Sequence, residues 1–343
     1  MMRYLNGIRG GIDRYYSRGI YRDTDNFLTS LHNKLPTSVF DSMIGSVAAI
    51  SIAETFGDID DRIEYAPLIL GLYGLIHTVT YSANRGRQLL EVTLGLDAKI
   101  KTKESRREFF EWLYEDAKYV GEQLREIDAS GQVHDFDFDL VKDAVREQLG
   151  RIEGRDPGEF PRPKKFSLVP YVLKAFGAGG AYATLSPEIY LSPEVYDSSS
   201  SWYDRINHVV AHELIHSKGY TREKEAELLG HLACMNSGDP TLRRASLINR
   251  LFRNFQIRVR DGKPISQRLE EADLPENIRT MLEKDISDGE ETSGVAKAGM
   301  FLRDNLSKLR QGLAFALTGN RRNDYNLGFL SLLYTYEREY GKV

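Results

Sequence analysis

His212-Glu213-Leu214-Ile215-His216, continued by Ser217-Lys218-Gly219-Tyr220 and by Arg222-Glu223-Lys224-Glu225-Ala226-Glu227, is the stretch that decides how this chain is read. The two histidines are four residues apart. On a helix they project from one face, one turn apart, so both imidazoles can reach one ion. Glu213 lies about 100° round the axis from His212. It is badly placed to ligate the same ion, but well placed to hold a water molecule beside it and take its proton. Ile206, Val210 and Leu214 form an apolar stripe roughly opposite, so one side of the helix packs and the other turns to a cleft.

The flanking residues delimit the helices. A serine cluster, Ser198 to Ser201, precedes the first, and Ser201 with Asp204 resembles a capping pair. The helix then runs to about Lys218 and stops at Gly219, a natural residue for the turn after a helix. Thr221 is placed to cap the next helix, Arg222 to about Asn236. Gly238-Asp239-Pro240 ends it.

Two histidines need a third ligand, and a catalytic zinc keeps its fourth position for water. A metzincin would carry a histidine at position 222. Arg222 stands there and cannot ligate, which excludes that class. Glu223, Glu225 and Glu227 remain. Glu223 and Glu227 share a face with Ala226, Gly230 and Ala233, small residues that allow close approach to the first helix. Glu223 is assigned as third ligand. Glu227, one turn on, would accept an N–H from a ligating histidine, with Glu227 as ligand the alternative. Glu225 points elsewhere and fits a solvated face. His208 suits pocket lining or a core hydrogen bond, His231 a structural role, and Cys234 a small buried hydrophobe.

Composition narrows the chemistry. A net charge of −4 over 343 residues gives no basic field to draw nucleic acid. With one cysteine there is no internal disulfide framework and no zinc site built on two cysteines of this chain. Any metal must rely on histidine and carboxylate. Four of the 7 histidines (His208, His212, His216, His231) fall between positions 208 and 231.

The N-terminus has no apolar stretch behind its first charges, so no cleavable signal peptide is expected. Tyr65 to Asn84 carries no formal charge and reaches the length of a membrane span, whereas Ser42 to Ala53 is too short by itself. Residues 42–84 therefore read either as a membrane-inserted hairpin or as a buried soluble one. Arginines and lysines precede the pair and follow it, and Asp58, Asp60, Asp61 and Glu64 lie in the link. If both stretches insert, both ends are cytoplasmic.

Elsewhere helices are expected over residues 1–35, 104–127, 137–150 (ended by Gly150), 241–260, 275–286, 294–317 and 324–340. Residues 154–165 read as a loop, and Phe166 to Val195 holds the best strand candidates, a hairpin around Ile189-Tyr190-Leu191. The fold class is α+β, mainly helical: a zincin-like core of a small sheet and the 212–216 helix, preceded by an N-terminal helical hairpin. The expected division is 1–95 and 96–343, with a metal core at 166–236 and a helical part at 239–343.

Beyond these signals, Tyr16-Ser17-Arg18-Gly19-Ile20-Tyr21, Leu35-Pro36-Thr37-Ser38, Asn84-Arg85-Gly86-Arg87, Phe176-Gly177 and the extended 212–234 segment together resemble domain-of-unknown-function family 3810, bacterial predicted zinc metallopeptidases. The family usually has a small polar residue where Glu227 stands. The resemblance implies association with the bacterial inner membrane and a cytoplasmic catalytic domain, with a soluble cytoplasmic protein as the alternative. Similarity to gluzincin enzymes implies the same roles for Glu223 and Glu227. It further implies that the 182–191 strand pairs with a substrate backbone. An oxyanion-stabilising group is also expected, with Tyr182, Tyr190 and Tyr220 as candidates.

The expected function is a zinc-dependent metallopeptidase: Zn2+ on His212, His216 and Glu223, Glu213 as general base, and a peptide or protein substrate. The alternatives are a zinc amidase on a non-protein substrate and a non-catalytic, zinc-stabilised membrane regulatory protein.

Overall fold

The computed structural model describes residues 90–96, 103–164, 179–183, 188–198, 200–220, 222–257, 265–290 and 325–343. The expected hairpin over 42–84 and the helices over 1–35 and 294–317 lie outside the described residues. Among the described residues no helix is long and apolar enough to cross a membrane. The structure is mainly helical with one two-stranded sheet.

The described residues fall into two compact units. The smaller holds 158–164, 179–183 and 188–192. Its strands β1 (Gly180–Ala183) and β2 (Glu188–Leu191) pair antiparallel, Gly180 opposite Leu191 and Ala183 opposite Glu188. On the other edge of β2, Pro163 forms a parallel bridge to Ile189, and Lys164 N–H donates to the Ile189 carbonyl at 2.9 Å. Every residue of β2 is buried, including Glu188, which accepts the Tyr190 hydroxyl and lies 3.8 Å from Lys164 Nζ.

The larger unit is helical. Its elements are α1 (Leu90–Thr93), α2 (Lys103–Ser130), α3 (Phe138–Glu153), α4 (Ile206–Ser217), α5 (Glu223–Asn236), α6 (Pro240–Gln256), α7 (Ile265–Glu271), α8 (Glu276–Glu290) and α9 (Tyr325–Tyr340). Local chemistry explains the clearest boundaries. Asp137 caps α3 by accepting from the N–H groups of Asp139 and Leu140. Gly150 does not end α3, as expected from sequence. The helix continues to Glu153 and closes on Gly154, whose φ of 66° only glycine adopts readily. In Gly238-Asp239-Pro240 the break is also a start: Asp239 caps α6 and Pro240 opens it.

The Ser201/Asp204 capping pair does not form. A short 3-10 turn, Tyr203–Arg205, leads into α4 without a side-chain cap. Longer cations take the oxygens instead. Asp204 accepts from Arg244 Nη1 at 2.6 Å, and Ser201 accepts from the Arg205 guanidinium through its carbonyl and hydroxyl. That guanidinium is buried between the Trp202 and Phe252 rings, 4.1 and 3.8 Å from their centroids.

A core of Val120, Leu124, Leu247, Leu251, Phe255, Leu269, Ile278 and Leu282 joins α2, α6, α7 and α8. Helix α5 packs on α3, α4, α6 and α9 and is the centre of the unit. Behind it, fully buried Arg250 pairs with Asp116 and, at 2.8 Å, with Glu337, tying α6 to α2 and α9. A buried ion group of this kind fixes relative position more than it stabilises.

Candidate metal centre

Every residue of α4 except His216 is buried. The turn to α5 passes through Gly219 at φ 87°. Thr221 lies outside the described residues, and the cap position of α5 is Arg222, in extended conformation without a side-chain cap. The two helices meet at Gly230. A Cβ there would stand 3.3 Å from the His212 backbone nitrogen and 3.5 Å from its Cα. Gly230→Val is therefore expected to force α4 and α5 apart, destabilising the fold by about 1–3 kcal/mol through overpacking. A urea midpoint unchanged from the parent chain would refute this reading.

This packing brings three ligand-type atoms together. His212 Nε2 and His216 Nε2 lie 2.9 Å apart, and Glu223 Oε2 lies 3.2 Å from the first and 3.3 Å from the second. Three donors held ~2.0–2.1 Å from one tetrahedral ion stand roughly 3.3 Å apart, so the triangle has the size zinc requires. The outer nitrogens show what the inner ones carry. His216 Nδ1 is 2.7 Å from the Tyr220 carbonyl, which only accepts, so Nδ1 holds the proton and Nε2 a lone pair. His212 Nδ1 lies 3.0 Å from Glu227 Oε2, an ion-pair contact without hydrogen-bond alignment that still sets Nε2 toward the triangle. Two ring nitrogens and a carboxylate oxygen thus converge on one point. The three residues form a group able to hold a metal ion, and among the described residues no fourth His, Cys, Asp or Glu joins them.

A family model described as a protein of unknown function, DUF3810, matches residues 16–290. The chain belongs to the DUF3810 family. No curated protein and no solved structure matches it. The family match spans His212, Glu213, His216, Glu223 and Glu227, and α9 lies beyond it.

In this DUF3810 chain the charges agree with the geometry. Burial alone would lower the His212 pKa, but the Glu227 charge and the contacts with Glu223 and Glu227 raise it well above the usual value. Burial would raise Glu223, but His216 and His212 hold it well below the carboxylate range. Both shifts are those of a buried imidazole–carboxylate group, in which each partner favours the charged form of the other. Its open side lies at Glu223, whose side chain is 32% exposed, against 10% for His212.

Glu213 is buried, and burial raises its pKa against the opposing pull of His212 and His216. Among the described residues its carboxylate has no hydrogen bond or ion pair. Of the three tyrosine candidates, Tyr220 donates its hydroxyl to Glu153 Oε1 at 3.1 Å. Tyr182 and Tyr190 belong to the smaller unit.

Glu227 sits on the outer nitrogen of His212. Its Oε2 also lies 3.0 Å from His208 Nε2, and its Oε1 accepts from Arg253 Nε at 2.6 Å and Asn249 Nδ2 at 3.4 Å. Three donors and the His212 ion pair leave the carboxylate fully engaged. His208 is thus a core hydrogen-bonding residue. Glu225 corrects the expectation of a solvated face: it is 3% exposed, paired to Arg222 at 2.9 Å, and it accepts the Leu90 N–H at 3.0 Å. The free N–H at the start of α1 needs an acceptor, and Glu225 supplies it. Arg253 and Asn249 come from α6 and Glu153 from α3, so none of them carries a signal within residues 212–227.

His231 is sealed in the core, 2.7 Å from Ser246 Oγ. Burial, then the charges of Arg250 and His208, hold its pKa well below 6.5. It folds neutral and protonates near 6.5 when unfolded, so its contribution is complete above that pH and is lost as pH falls below it. Replacing His231 by Asn should flatten the acid limb of stability between pH 6.5 and 5, by up to about 1.4 kcal/mol per pH unit. Parallel curves for the two proteins in urea titrations across that range would contradict it.

Proposed function

We propose that this DUF3810 chain is a zinc-dependent metallopeptidase, with His212, His216 and Glu223 holding the metal and Glu213 acting as general base. The observation that supports it most is the convergence of two histidine ring nitrogens and one carboxylate oxygen, with Glu213 one residue away from His212. Zinc bound there would supply Lewis acidity and positive charge at the reacting carbonyl.

The remaining work falls to the chain. Glu213 takes a proton from the attacking water and delivers it to the leaving amine, a role suited by a pKa above the ordinary glutamate range. Glu227 and the Tyr220 carbonyl hold the histidines in register. The lack of a fourth protein ligand among the described residues favours a catalytic site over a closed structural one. An extended substrate would pair with the hairpin. Residues 42–84 are proposed to anchor the chain to the inner membrane, with the catalytic part in the cytoplasm.

The test is digestion of a peptide library by the purified, zinc-loaded full chain, with and without chelator. Chelator-sensitive cleavage supports the reading. An uncut library alongside hydrolysis of non-peptide amides turns it toward an amidase. Bound zinc with no hydrolase activity turns it toward a regulatory protein.

A further inference from the structure

Behind the triangle a chain of buried polar groups runs through the helical unit. His208 Nδ1 lies 3.2 Å from Ser246 Oγ, and His231 Nδ1 lies 2.7 Å from the same oxygen. On its far side, His231 Nε2 is 3.4 Å from Arg250 Nη1. His208, His231, Ser246 and Arg250 are all 1% exposed or less. With the 3.0 Å contact from His208 Nε2 to Glu227, the series runs Arg250, His231, Ser246, His208, Glu227, His212.

Its two ends dictate its direction. A guanidinium only donates, so His231 Nε2 carries a lone pair and Nδ1 a proton, which it gives to Ser246 Oγ. A carboxylate only accepts, so His208 Nε2 carries a proton and Nδ1 a lone pair. Ser246 meets both demands with one hydroxyl, accepting from His231 and donating to His208. Read from either end, the protons take the same places. Burial, the largest influence on both rings, holds His208 and His231 below the usual imidazole range and keeps them neutral.

We propose that Ser246, His208 and His231 are positioning residues that carry the fixed polarity of Arg250 to Glu227, and so hold the His212 ring with Nε2 toward the metal site. The proposal rests on the metal reading above for its consequence, but the relay itself exists without metal. Without the Ser246 hydroxyl, His208 can turn to its other tautomer and present a lone pair to Glu227. That carboxylate then loses a donor and its hold on His212.

Two measurements test it on the full chain. The first needs no variant and no metal: nuclear magnetic resonance of the metal-free protein, isotope-labelled at the histidine ring nitrogens. It should show neutral His208 protonated on Nε2 and neutral His231 protonated on Nδ1. The opposite tautomer, or a charged ring, at either position overturns the relay. The second is zinc affinity by chelator competition. Ser246→Ala should weaken binding by about 10–100-fold, the range for loss of an outer partner. His208→Gln, whose amide N–H reaches the Nε2 position, should retain most of the affinity. A folded Ser246→Ala protein with unchanged affinity overturns the coupling to the metal. If the parent chain binds no zinc, the metal reading fails, and the tautomers still decide the relay.

Discussion

For the proposed metallopeptidase, Glu213→Gln is expected to lower kcat by about 10²–10⁴-fold, as loss of a general base does, while zinc stays bound at parental stoichiometry. The reason is positional. Glu213 is on the same turn as His212, but its carboxylate is not part of the triangle of His212, His216 and Glu223. Glutamine keeps the shape and cannot take a proton. The burial that raises the Glu213 pKa also makes the amide an acceptable replacement in the fold. Steady-state kinetics and metal analysis on the same preparation check both halves. Full activity removes Glu213 as the base. Loss of metal together with activity makes it a ligand, or a support of one.

His216→Ala gives the second large effect, and the opposite pattern. Zinc affinity falls by more than the ~10–100-fold typical of an outer partner, because one of three inner donors is gone. Thermal stabilisation by added zinc falls with it, since a ligand stabilises only in proportion to its binding. Glu223→Ala should behave alike, with a smaller penalty to the metal-free fold, as its side chain is one-third exposed. If chelator competition returns the same zinc affinity for His216→Ala and the parent chain, the triangle is not the metal site.

The local grammar of the site was legible from residues 212–227. A four-residue histidine spacing places two rings on one helical face whatever surrounds them, and Gly219 turns the chain back within reach. The same reading misjudged Glu225. Nothing near it in sequence shows that the N–H of Leu90, 135 residues away, needs its carboxylate. It also set a helix cap at Ser201 and Asp204, where Arg205 and Arg244 take the oxygens. The Leu90 N–H and the Arg244 guanidinium are long-range partners that leave no periodic trace around residues 201–227.

By itself the sequence determined which residues can meet one ion, because helical periodicity and side-chain chemistry are properties of neighbours along the chain. Only the tertiary structure decided which nitrogen of each ring faces inward and which carboxylate stands behind His212. Those choices depend on the Tyr220 carbonyl, Glu227 and the buried groups of α6, where proton positions are settled by donors and acceptors packed against one another in the core.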